Sequence, residues 1–107
     1  MTTTITTRRF DVIAKHLANR EPFRTHGALR AETFSYGAGR LPADWWNTFT
    51  ARVNVIDYFV YSYQTPIAWH DTEAGWVVPD ERYSQTTSVH QGRIRAALTY
   101  NGETYGE

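Results

Sequence analysis

The run Ile56-Asp-Tyr-Phe-Val-Tyr-Ser-Tyr63 constrains this chain more than any other stretch. It is β-branched and aromatic, with no glycine or proline to interrupt it, and so reads as a β-strand. Thr65-Pro66 breaks or bends that strand, and a proline there points to an edge or a bulge. Ile67-Ala68-Trp69 resumes as a strand, His70 to Gly75 is a polar turn, and Trp76-Val77-Val78 returns. A hairpin is therefore expected around residues 71–75. Upstream, Leu29, Ala31, Thr33 and Ser35 alternate with Arg30, Glu32, Phe34 and Tyr36, which suggests a further strand.

The helical signals lie on either side of this β-rich centre. Phe10, Ile13 and Leu17, with Ala14 beside them, make one apolar stripe over Arg8 to Asn19. Glu21-Pro22 ends it, because a residue before proline disfavours the helical region. Leu41-Pro42-Ala43-Asp44 reads as a helix start, with proline in the first turn and an acid near the positive end of the dipole. Trp45, Trp46 and Phe49 give that short helix its apolar side. The last helix runs from about Thr87 to Leu98, with Ile94, Ala97 and Leu98 on its buried side and a cluster of capping hydroxyls before it.

These signals predict an α+β fold. A small, mostly antiparallel sheet is built from about residues 29–36, 56–63, 66–70 and 75–79. Helices at about 8–19, 43–51 and 87–98 pack on one face. At 107 residues the chain suits a single domain over 1–107, with residues 1–7 and 101–107 expected to fray. Apolar residues at 41% are enough for a core, and charged residues at 21% exclude the signature of disorder. There is no cysteine, which excludes a disulfide scaffold, a thiolate nucleophile and a zinc site with sulfur ligands. No stretch has the length of a membrane span, and the threonine run Met1 to Thr7 lacks the pattern of a secretory signal.

The formal net charge is zero but unevenly spread. Residues 1–54 hold eight basic groups against four acids, a net of +4; residues 55–107 hold three against seven, a net of −4. Either the halves attract one another in the fold, or a basic face meets phosphates or an acidic partner. Lysine occurs once and arginine ten times, a bias that also follows from a GC-rich genome.

Two motifs stand out in order and spacing: Tyr61-Ser-Tyr-Gln-Thr-Pro-Ile-Ala-Trp69, followed by Trp76, and then Tyr83-Ser-Gln-Thr-Thr-Ser-Val-His-Gln91. With the lead-in Gly39-Arg40-Leu41-Pro42, the stretch from about 36 to 95 resembles a family of small uncharacterised proteins encoded by bacteriophages and other mobile elements, notably of actinobacteria. The resemblance implies a phage protein working in the cytoplasm of a bacterial host. It implies no catalysis and no cofactor.

The candidate site residues gather at the start of the last helix. Thr86, Thr87 and Ser88 place hydroxyls beside free backbone N–H groups, with His90 and Gln91 in the first turns. The arrangement suits a bound phosphate or carboxylate, or equally an N-cap closed against the core by Tyr83 and Val89. Adjacent Trp45 and Trp46 point about 100° apart on their helix, so one of them is expected at the surface as a partner anchor or a homodimer contact. Arg93 and Arg95 complete the partner-binding candidates. Tyr58, Phe59, Tyr61 and Tyr63 suit either a base-stacking platform or a core. His70-Asp71-x-Glu73 is the one cluster of oxygen and nitrogen donors, and a solvated turn is its ordinary explanation, so no metal is expected. Gly37-Ala38-Gly39 lacks a third glycine and is no dinucleotide fingerprint.

The functional expectation is a non-enzymatic phage accessory protein that binds a host or phage protein. The alternative is a nucleic-acid binder that uses its arginines and the Thr86–Ser88 helix start. An enzyme comes third, with His90 and Ser88 or Thr87 as its sole candidate pair and no catalytic residue assigned.

Overall fold

Alternation along the aromatic strand decides the architecture, because its two sets of side chains enter two different cores. In the computed structural model, which describes residues 2–6 and 9–107, that strand is β4 (Ile56–Ser62). Tyr58 and Val60 join one cluster with Leu29, Ala68, Trp76 and Ile94. Phe59 and Tyr61 join another with Phe49 and Trp69. All four β4 side chains are essentially buried, so these aromatics are core; each such ring stabilises the fold by roughly 1.5–3 kcal/mol relative to an exposed one.

The remaining strands are β1 (Thr3–Thr4), β2 (Phe23–Arg24), β3 (Leu29–Glu32), β5 (Thr65–Asp71), β6 (Gly75–Val77) and β7 (Tyr105–Gly106). They form one seven-stranded sheet in the order β1-β2-β3-β4-β5-β6-β7. The four internal pairings are antiparallel, and the outer two, β1 on β2 and β6 on β7, are parallel. Short terminal segments thus close both sheet edges: Thr3 and Thr4 pair with Phe23 and Arg24, and Tyr105 and Gly106 with Trp76 and Val77. The tails expected to fray are held by these pairings. Met1 and Thr7 of that expectation, and the helix start at Arg8, lie outside the described residues.

Among the described residues, three α-helices cover the sheet. They are α1 (Phe10–Ala18), α2 (Ala43–Arg52) and α3 (Gln85–Tyr100). The α+β class and the mostly antiparallel sheet are as the sequence predicts, but the helices do not share one face. Ile13, Ala14 and Leu17 of α1 pack with Ile94, Ala97 and Leu98 of α3 in the first cluster, whereas Phe49 and half-buried Trp45 of α2 close the second. The reason is that β4 is apolar on both sides, so each face needs its own cover.

The third strand ends at Glu32 rather than 36, where the chain turns away and returns Tyr36 to stack edge-on against Tyr61. Pro66 does not end a strand and is not at an edge. It sits in β5, between β4 and β6, where the register slips between Val60 and Tyr61, so the bulge part of the expectation holds. Tyr63 leaves the strand and turns with a φ of 57°. Among the described residues no helix is long and apolar enough to cross a membrane.

Candidate functional site

The start of α3 is fixed by a chain of hydroxyls that reaches from the helix cap to a buried histidine. Ser84 caps the helix, its Oγ accepting from the Thr87 backbone N–H at 3.2 Å. The Ser84 hydroxyl donates to Thr87 Oγ1 at 3.1 Å. Thr87 Oγ1 lies 3.1 Å from Ser62 Oγ, which lies 2.8 Å from His90 Nδ1. Burial, and then the charge of Arg93, hold His90 below the usual histidine range. The contacts run from Ser84 to Thr87 to Ser62 to His90 and tie α3 to the end of β4.

That network divides the candidate ligand residues. Thr87 and His90 are buried within it. Gln91 is also buried, its Nε2 donating to the Pro79 carbonyl at 3.3 Å. Thr86 and Ser88 are exposed, and Thr86 and Thr87 line a groove of about 810 Å³ between the helix start and the β4–β5 turn. Ser88, Gln91 and Arg95 line a neighbouring cleft of about 490 Å³ instead. The five residues therefore do not converge on one ligand.

Ser62 carries no site signal in the sequence, although it lies inside the first motif. Its pairing with His90 looks like a nucleophile beside a base. Yet the second ring nitrogen of His90 takes no hydrogen bond among the described residues, and no carboxylate orients the ring. The pair is explained by the cap that it completes.

The other histidine and acid candidates resolve into an ion-pair cluster and a hydrogen-bonded histidine. Asp71, almost fully buried, accepts from Arg52 Nε at 2.8 Å and Nη2 at 2.9 Å, and from the backbone N–H groups of Glu73 and Ala74 at 2.8 and 2.9 Å. The Arg52 hydrogen bonds, reinforced by those two N–H groups, hold the Asp71 carboxyl well below the usual range despite its burial. Glu73 binds the same guanidinium at 2.8 Å. His70 donates from Nδ1 to Asp57 at 2.7 Å and accepts at Nε2 from Arg20 at 2.9 Å. Both ring nitrogens are thus occupied, and the described residues hold no group of three or more donors arranged for a metal ion.

The tryptophan pair separates as its spacing demands. Trp45 is half-buried and packs edge-on against Trp69 with centroids 5.9 Å apart, while Trp46 is 48% exposed. On the same side of the sheet, Phe34 and Tyr36 are 56% and 50% exposed, their ring centroids 5.0 Å apart. The Arg30 guanidinium lies over Tyr36 at 5.2 Å and over Tyr61 at 4.6 Å. The alternating pattern places Phe34 and Tyr36 in a strand. Their exposure arises because the chain leaves the sheet after Glu32, which that pattern does not signal. Arg93 and Arg95 do not join this surface. Arg93 is half-buried and engaged, and Arg95 donates to the Pro79 carbonyl at 3.2 Å and lies 3.9 Å from Asp80.

The chain belongs to a family of unknown function (DUF8033), whose model matches residues 28–106, a span that contains both quoted motifs. No curated protein and no solved structure matches the chain.

Proposed function

We propose that this chain, a member of a family without an assigned activity, is a small non-enzymatic accessory protein of a bacteriophage or related mobile element that acts by binding a host or phage protein. The observation that carries the reading is the exposed aromatic surface on the α2 side: Trp46, Phe34 and Tyr36, with Arg30 over Tyr36. Tryptophan, tyrosine and arginine are the residues that dominate protein interfaces when seated on a rigid base. Here the base is the buried ladder Tyr61, Phe59, Phe49 and Trp69, whose rings contact one another edge-on or stacked. The mobile-element setting, and work in the cytoplasm of a bacterial host, rest on the motif resemblance.

Several arginines are committed to carboxylates, which weakens the reading as a strand-binding protein. Arg9 pairs with Asp11, Arg24 and Arg30 approach Glu32, Arg52 holds Asp71 and Glu73, and Arg95 faces Asp80. Most of these pairs lie within one half of the sequence. Arg52 joins the two halves by binding Asp71 and Glu73.

The test is affinity capture from an actinobacterial lysate treated with nuclease, run beside Trp46→Ala and the double variant Phe34→Ser with Tyr36→Ser. A protein that survives nuclease and is lost with either folded variant supports the reading. Capture that vanishes with nuclease, or that both variants retain, rejects it. A second copy of this chain as the sole captured protein identifies the surface as a homodimer interface.

A further inference from the structure

The groove beside α3 lies apart from this aromatic surface and has its own chemistry. It is walled by the β4–β5 turn, the segment around Arg40 and the start of α3. Its arginines, Arg40 and Arg82, are both exposed, and neither has an ion-pair partner among the described residues. No carboxylate lines it. Tyr63, 55% exposed, stands on the turn. That turn is braced: Arg30 donates to the Tyr63 carbonyl at 2.6 Å, the Tyr63 N–H donates to the Ala28 carbonyl at 3.1 Å, and the Arg40 N–H donates to Thr65 Oγ1 at 2.9 Å. The Tyr83 hydroxyl is shielded from solvent and has no hydrogen-bond partner, and Tyr83 also lines the groove. Burial, and then Glu81, push that phenol up to about 12, so it stays protonated and able to donate.

From this cavity we infer a binding site for a nucleoside monophosphate, its phosphate held by Arg40 and Arg82 and its base stacked on Tyr63. Guanidinium groups match phosphate oxygens in a planar fork and need no metal to do so. An exposed aromatic ring stacks any base, for roughly 1–3 kcal/mol. At about 810 Å³ the groove lies within the range of small-molecule sites, roughly 300–1,000 Å³. The group recognised is the same on a free nucleotide and on the 5′ end of a strand.

The experiment is titration calorimetry of the intact chain with inorganic phosphate, adenosine, each of the four nucleoside 5′-monophosphates, and a short oligonucleotide with and without a 5′-phosphate. At least one monophosphate should bind more than tenfold tighter than phosphate or adenosine. Arg40→Ala with Arg82→Ala should weaken it at least tenfold. Tyr63→Gly, which removes the ring while relieving the left-handed backbone, should bring its affinity near that of phosphate. A phosphorylated oligonucleotide that matches the monophosphate assigns the site to strand ends, and one at least tenfold weaker assigns it to free nucleotides. If no monophosphate binds, or if binding is unchanged in the arginine double variant or in Tyr63→Gly, the assignment is wrong. Trp46, Phe34 and Tyr36 do not line the groove and are untouched by these variants, so either result leaves the protein-binding reading to its own test.

Discussion

Replacing Gly39 with alanine should be among the most damaging single-methyl additions in this chain, and its cost divides into two parts. The residue has a φ of +53°, which costs a side-chain-bearing residue about 1–2 kcal/mol. A Cβ there would also lie 2.6 Å from the Thr65 Cα, with the Gln64 carbonyl oxygen nearer still. Carbon atoms pack at about 3.5–4.0 Å, so the β4–β5 turn must retreat by about 1 Å, and overpacking of that kind costs about 1–3 kcal/mol. The sum is about 2–5 kcal/mol out of the roughly 5–15 kcal/mol usual for a domain. With a urea m-value of about 1.5 kcal/mol per molar, the unfolding midpoint should fall by about 1.3–3.3 M. Gly102 supplies the control. It also has a positive φ, of +73°, close to that of Gly39, but open space where its Cβ would go, so Gly102→Ala bears the backbone cost alone. Urea denaturation followed by tryptophan fluorescence measures both. Should Gly39→Ala lose no more stability than Gly102→Ala, the close approach of this loop to the turn is not what glycine is there for.

Three further outcomes concern the polar network and the buried ion pair. Ser62→Ala strands the Thr87 hydroxyl and His90 Nδ1 in a buried setting and should cost about 1–3 kcal/mol by the same assay; a loss under about 0.5 kcal/mol removes the relay as the anchor of α3. His90 has a folded pKa below its unfolded value, so the stability it contributes is full above about pH 6.5 and declines as pH falls towards the folded value. In His90→Gln the stability measured from about pH 7 to 5 should be flatter than in the parent, and an equal slope contradicts the assignment. Asp71 follows the same sign at lower pH: its contribution is present above about pH 4 and is lost as acid drives the pH towards its depressed folded pKa. Asp71→Asn should therefore flatten acid unfolding below about pH 4, and an unchanged acid limb would show that the Arg52 pairing contributes nothing.

Local pattern and burial together determine the elements that are legible in the sequence. The β4 run, the α1 stripe of Ile13, Ala14 and Leu17, and the proline-led start of α2 all form within a few residues of their expected bounds. The strands β1, β2 and β7 are two residues each, too short for any periodicity, and exist only because a sheet edge is there to receive them. Helix placement is not legible, because a strand of alternating aromatics looks the same whether one side or both are buried. At the site, Ser84 is recognisable among several capping hydroxyls. Ser62, twenty-two residues earlier, is invisible because only the β4–α3 packing brings it to His90. The groove arginines share that limitation: Arg40 and Arg82 are far apart in sequence, and nothing local marks either as unpaired.

Whether the α2 side of the sheet meets a protein is decided by site-specific photo-crosslinking in host cells, with the crosslinking residue placed in turn at positions 46 and 36, and at 89 and 100 on α3 as controls. Val89 and Tyr100 are 47% and 63% exposed, as accessible as Trp46 and Tyr36, so exposure alone cannot separate the two pairs. One discrete protein adduct is expected from positions 46 and 36 and none from 89 and 100. Adducts from the α3 positions alone, or equal adducts from all four, would contradict it.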